Sequence, residues 1–418
     1  MKELKGALIF AQSGGPTSVI NASAYGVFSQ AFKHNCITEV YGACNGIKGV
    51  LDERIIDMTK ESEDVMMLLP NTPSSALGSV RYKLKDIKED DTDYLRILEV
   101  FKKYNVRYFM YNGGNDSMDT CNKVSKFLQN HGYECNVIGV PKTIDNDLYG
   151  TDHCPGYGSA AKYIATTCME IALDAKVYDK GQVIIIEVMG RNAGWLTAAS
   201  ALASYNGLGP DLIYLPERDF DTEKFLSEVA DVWNKNSNCI VAVSEGIRDK
   251  NGVYINQYST TGSSERDSFN HVQMGGACHY LAGLVKARIP KVKVRAIELS
   301  LMQRCAAHIA SQTDIDEAMD AGRQAVLSAV NGMTDLMMAF KRGEDANGEY
   351  RCEVIEQPLS IVANTEKKVP EYYINKEGNF IRKEFIDYVQ PLIVGEPHLK
   401  FKNGLPCFAI LNKDFVKK

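Results

Sequence analysis

Seven short apolar runs, separated by longer amphipathic or glycine-rich stretches, constrain the fold of this chain more than any other feature. They are GALIFA from Gly6, VRYFMY from Val106, NVIGV from Asn136, QVIIIEV from Gln182, DLIYLP from Asp211, CIVAVSE from Cys239 and KVRAIEL from Lys293. Runs of this length that are apolar throughout, rather than at alternate positions, predict strands covered on both faces. Helical patterns between them, such as DYLRILEVFKKY from Asp93, predict parallel crossovers. The expected class is therefore α/β with mostly parallel sheets. In such sheets ligands bind beyond the carboxyl ends of the strands, so the loops that follow these runs are where chemistry is to be sought.

Bulk properties narrow the function. A length of 418 residues allows two or three domains, and a net charge of −6 leaves no basic surplus for a nucleic-acid surface. The apolar run near the start is too brief for a signal segment. No stretch approaches the ~18 apolar residues of a membrane span. Eleven cysteines, an odd number with no C-x-x-C, argue against a disulfide framework and against structural zinc. A cytoplasmic protein with no nucleic-acid or membrane partner is expected. From about Arg342 onward the sequence is turn-rich and polar and reads as a peripheral extension.

Five loops carry candidate chemistry. AQSGGPTSVINAS places Gly14 and Gly15 between a strand and a helix, where backbone N–H groups can face an anion, although a plain tight turn has the same look. YNGGNDSMDT, from Tyr111, repeats that pattern but follows its glycines with Asn115 and Asp116. VPKTIDND crowds Lys142, Thr143, Asp145 and Asp147 into one strand-end loop, where one acid can serve as a base and another can sit near a metal. EVMGRNAGW offers Arg191 at a strand end, suited to phosphate or developing phosphoryl charge. RAIELSLMQR brackets a strand and turn with Arg295 and Arg304, which taken alone read better as partners of Glu298 or of a neighbouring helix.

In this order, from about Gly6 to Ala325, the loops resemble the phosphofructokinase family; PKTIDND and MGRNAGWLTA are the specific parts, and LGSVR (Leu77 to Arg81) supports them. The resemblance implies two Rossmann-like three-layer αβα lobes: residues 1–156 with 303–350 for the phosphoryl donor, and 157–302 with 351–418 for the sugar phosphate plus a C-terminal extension. It implies transfer of a phosphoryl group to the 1-hydroxyl of fructose 6-phosphate, giving fructose 1,6-bisphosphate, a step of glycolysis and gluconeogenesis. Asp145 is then the general base, and Arg191 offsets transition-state charge. Gly15, Arg81, Asp116, Lys142 and Thr143 belong to the donor site. Thr143, Asp145, Met189, Gly190, Arg191, Glu245, Arg295 and Arg304 hold the sugar phosphate, with Arg295 reaching the site of a neighbouring copy in an expected homodimer. Mg²⁺ is the expected ion, near Asn115, Asp116 and Asp147, because only oxygen ligands are on offer.

The same resemblance bears on the donor. ATP-using members carry Gly-Gly-Asp-Gly-Ser where this chain reads Gly113-Gly114-Asn115-Asp116-Ser117, and typically Gly where this chain has Lys142. Asp116 would fill and repel the place of a nucleotide α-phosphate, while Lys142 would supply a point charge to a compact donor, with Asp116 as its counter-charge. Both changes mark the pyrophosphate-dependent branch, so the expected donor is pyrophosphate and the expected reaction is reversible. An ATP-dependent 6-phosphofructokinase is the alternative. A dinucleotide dehydrogenase would need a G-x-G-x-x-G that the chain lacks. A non-catalytic sugar-phosphate sensor would have no use for Asp145.

Overall fold

The computed structural model describes residues 4–177, 179–258, 276–363 and 365–417. Its strands, in chain order, are β1 (Gly6–Gln12), β2 (Ile37–Ala43), β3 (Ile55–Asp57), β4 (Val106–Gly113), β5 (Asn136–Pro141), β6 (Gln182–Val188), β7 (Leu212–Tyr214), β8 (Cys239–Ser244), β9 (Lys293–Glu298), β10 (Leu336–Glu344) and β11 (Tyr350–Pro358), followed by a small hairpin at 401–406. All seven apolar runs are strands. They divide into two sheets, ordered β11-β10-β5-β4-β1-β2-β3 and β7-β8-β6-β9. The second sheet is wholly parallel, and the first is parallel from β10 to β2 with an antiparallel strand at each edge. The chain is thus α/β with mostly parallel sheets.

Burial on both faces gives each sheet a helical layer on either side. Ile9, Phe109 and Val137 of the first sheet face Phe101 and Phe127 of the helices Thr92–Lys103 and Asn115–Asn130, while Phe10, Tyr108 and Phe340 face Phe28 and Ala325 of the helices Ile20–Ala31 and Gln312–Val330. In the second sheet Ile184 and Ile186 meet Tyr157–Ala175 and the C-terminal helix Lys383–Val389, and Val183 and Val241 meet Phe225 and Leu281. Among the described residues no helix is long and apolar enough to cross a membrane.

Three expectations are corrected. The run at β9 is not covered on both faces: it is the edge of its sheet, with every residue half-buried or exposed. The stretch after residue 350 does not all accompany the second sheet, because β11 pairs with β10 over nine residues, from Leu336 opposite Pro358 to Glu344 opposite Tyr350, and so extends the first. The C-terminus returns to that sheet as well, where the Val416 amide donates to the Ile55 carbonyl (2.8 Å). Nor is the extension merely peripheral, since the β10–β11 hairpin supplies Arg342 and Tyr350 to a buried ionic cluster behind the catalytic-loop candidate.

In that cluster the His153 ring meets Asp152 at Nδ1 (2.9 Å) and Glu317 at Nε2 (2.6 Å). Arg342 donates to Asp152 (3.0 Å), and the Tyr350 hydroxyl donates to Glu317 (2.7 Å). Burial alone would lower the imidazole pKa, but Glu317 and Asp152 outweigh it and raise it to about 9. A raised pKa contributes stability that is fully present below the usual value of 6.5 and is lost as pH rises through about 9. On the order of 3 kcal/mol is at stake. The midpoint of thermal unfolding should therefore fall between pH 6.5 and 9.5, and His153→Gln should flatten that fall while lowering stability at pH 6. Equal slopes for the two proteins would contradict this account of the cluster.

Candidate active site

The carboxyl ends of β1, β4, β5, β6 and β8 converge on one cavity of about 650 Å³ between the sheets, and each contributes a loop. Lining it are Gly15, Arg81, Asn115, Asp116, Lys142, Thr143, Asp145, Asp147, Met189, Arg191, Glu245 and Arg304, so nearly all the residues singled out in the sequence meet in one place. Gly190 borders them, its amide donating to Glu245 (3.3 Å). Arg295 is the exception. It stands on the exposed edge strand β9, donates to Gln182 (3.1 Å), and is not part of the cavity wall of its own chain.

Two glycines are required by geometry. Gly14 has φ +75°, and a Cβ there would lie 3.1 Å from the Lys142 ammonium. At Gly190, φ is +135° and a Cβ would come within 2.5 Å of the Ala193 carbonyl, so the turn that presents Arg191 cannot form with a side chain.

Lys142 is 3 % exposed and donates to the Gly15 carbonyl at 2.5 Å, bridging the loops after β1 and β5. Burial lowers its pKa to about 8 against the opposing pull of Asp145 and Asp147. Those two acids, rather than the expected Asp116, are the carboxylates that act most strongly on it. Asp116 instead lies exposed in the first turn of the helix Asn115–Asn130, its side chain bordering open space.

Burial raises the pKa of Asp145, while Lys142 and Arg191 pull it down. Burial, then Asp145 and Glu366, push Asp147 up to about 7, and burial carries Glu245 to about 7 as well. Arg304 is lowered by burial and then by Arg81 beside it. The cavity thus carries both signs of charge, with guanidinium groups at 81, 191 and 304 and carboxylates at 145, 147 and 366 in its lining. That arrangement can hold two anionic reactants and take a proton between them.

The lining also fits a hard divalent cation. Asn115 donates through Nδ2 to Asp147 (3.4 Å), which leaves its buried Oδ1 without a hydrogen-bond partner. An orphaned amide oxygen, Asp147 and Asp116 make an all-oxygen donor set of the kind Mg²⁺ takes. A His–Glu–Cys grouping elsewhere, His153 with Glu317 and Cys352, has both ring nitrogens engaged in the ionic cluster.

The family model described as Phosphofructokinase matches residues 7–327. The chain belongs to the phosphofructokinase family. Two similar curated members are named pyrophosphate--fructose 6-phosphate 1-phosphotransferase: one from Xanthomonas campestris pv. campestris, 44% identical over 99% of this chain and 98% of its own length, and one from Halomonas elongata, 43% identical over 98% and 97%. A solved structure, the pyrophosphate-dependent phosphofructokinase from Marinobacter aquaeolei, superposes with a TM-score of 0.88 at 42% identity, covering 99% of this chain and 98% of that one.

Sequence reasoning missed Glu366 and Asn192. Asn192 was legible only as part of MGRN. Glu366 comes from ANTEKKVP in the extension, far from every loop motif, and only the tertiary fold brings it to the cavity.

Proposed function

We infer that this phosphofructokinase transfers a phosphoryl group from pyrophosphate to the 1-hydroxyl of fructose 6-phosphate, reversibly, giving fructose 1,6-bisphosphate and phosphate. The observation that carries the choice of donor is the presence of both Asp116 and Lys142 in the lining of the cavity: an exposed acid where a nucleotide would extend, and a buried ammonium beside the glycine loop. Asp145 takes the proton of the 1-hydroxyl as that oxygen forms a bond to the terminal phosphorus of pyrophosphate. The bond from that phosphorus to the bridging oxygen breaks, and phosphate leaves with the electron pair. Lys142 and Arg81 hold the donor against the Gly14–Gly15 loop, Arg191 faces the charge that spreads over the transferring group, and Glu245 with Arg304 orients the sugar phosphate. Mg²⁺, held by Asn115, Asp116 and Asp147, would neutralise phosphate charge. The first-sheet lobe takes the donor and the second-sheet lobe the sugar phosphate. None of the eleven cysteines is joined in a disulfide, which supports a cytoplasmic setting.

Incubating the protein with fructose 6-phosphate, Mg²⁺ and pyrophosphate, followed by phosphorus NMR, should show a new C1 phosphate ester and one equivalent of phosphate. A spectrum that does not change would overturn the proposal.

The position of Arg295 supports a dimer. Among the described residues no strand pairs with the outer side of the edge strand that carries it, and Leu301 and Met302 just beyond that strand are about half exposed (53% and 52%). A two-fold contact there would cover that edge and present Arg295 to the neighbour's cavity. Sedimentation should give a dimer at assay concentrations, and a fully active monomer would exclude the arrangement.

A further inference from the structure

The loop that presents Arg191 is gripped by a strap of the C-terminal extension whose first residue, Glu366, lines the cavity. Glu366 forms an antiparallel bridge to Leu148, and the Lys367 amide donates to the Asp147 carbonyl (2.7 Å). The Trp195 indole donates to the Lys367 carbonyl (2.8 Å), and Glu217 accepts from both the Val369 (3.0 Å) and Gly194 (2.8 Å) amides. Residues 366–369 therefore stitch the loop after β5, which carries the base, to the loop after β6, which carries Arg191.

At the head of this strap lies a three-membered relay. Asn192 donates through Nδ2 to a carboxylate oxygen of Glu366 (3.1 Å) and accepts through Oδ1 from Arg248 (2.9 Å). Arg248 is itself fixed, with its guanidinium over the Tyr254 ring at 4.2 Å. A carboxylate only accepts and a guanidinium only donates, so the amide has a single orientation that satisfies both. The peptide next to Arg191 is thereby held from two sides.

We propose that Glu366 and Asn192 are positioning residues for phosphoryl transfer, with the Glu366–Asn192–Arg248 relay setting the placement of Arg191. The proposal rests on the assignment of Arg191 to the reacting groups, and it adds a requirement for a donor on residue 192 and an acceptor on residue 366. Asn192→Asp keeps size and the bond from Arg248 but sets a second carboxylate against Glu366. It should lower kcat by about tenfold, within the range of coupling between contacting residues, while KM for fructose 6-phosphate changes less. Adding Glu366→Gln to that variant reverses the polarity of the pair, because a glutamine amide donates to the new carboxylate, and should restore most of kcat. Glu366→Ala removes the same charge without supplying a donor and should rescue Asn192→Asp much less than Glu366→Gln does. Unfolding midpoints measured in parallel separate a loss of fold from a loss of placement. Equal effects of Glu366→Gln with and without Asn192→Asp, or equal rescue by Glu366→Ala, would overturn the proposal. Arg191→Ala serves as the control on its premise: retained turnover there would remove the site assignment itself, whereas lost turnover combined with an uncoupled 366–192 pair would remove only the relay.

Discussion

Asp145→Asn should lower turnover by roughly 10²–10⁴-fold, the usual cost of removing a general base, while fructose 6-phosphate still binds. The substitution is nearly isosteric, and the loop that carries it is fixed from behind by contacts the change leaves alone: the Asn146 amide donates to Tyr388 (2.9 Å), and the Lys367 amide donates to the Asp147 carbonyl (2.7 Å). What is lost is a carboxylate that Lys142 and Arg191 keep available for a proton against the effect of burial. Single-turnover rates and equilibrium binding of the sugar phosphate, measured on the same preparation, separate chemistry from affinity. Turnover near that of the unaltered enzyme would take Asp145 out of the role.

The second large effect concerns the donor. Asp116→Gly should raise activity with ATP by removing bulk and negative charge from the place a nucleotide needs. Lys142→Gly should cost about 10²–10³-fold with pyrophosphate, the scale for deleting one preorganised charge at a reacting phosphate. Asp145 and Asp147 lose the ammonium in the single and the double variant alike, so the double change should exceed the single one with ATP only by what removal of Asp116 gives. The two positions lie at adjacent strand ends, where the Lys142 amide donates to the Gly113 carbonyl at 3.0 Å just before Asn115 and Asp116, so their effects should not add. Specificity constants for both donors across the four proteins provide the check. No shift in preference in any variant would mean that donor choice is set elsewhere in the cavity.

What the sequence disclosed followed from how local each signal was. Strands buried on both faces are written as continuous apolar runs, so β1, β4 to β6 and β8 were legible, and with them the loops at their carboxyl ends that build the cavity. Strands β2, β3, β10 and β11 were not, because edge or half-covered strands mix polar and apolar residues; LMMAFKRGE in β10 is buried only through its first half. Lys142 was singled out, but its counter-charge was misassigned: adjacent strand ends pointed to Asp116, whereas Asp145 and Asp147 of its own loop are the carboxylates that act most strongly on the ammonium. Glu366 left no trace at all. A lone carboxylate in a polar tail becomes a wall of the site only through long-range contacts such as the bridge from 366 back to 148.

The most direct measurement for the account as a whole is the ratio of kcat/KM for pyrophosphate to that for ATP, taken on the purified protein with saturating fructose 6-phosphate and Mg²⁺. A buried ammonium serving a compact donor and an acid barring a nucleotide together predict a ratio of at least about 10². A ratio at or below one would contradict the reading of Asp116 and Lys142 on which the proposed reaction rests.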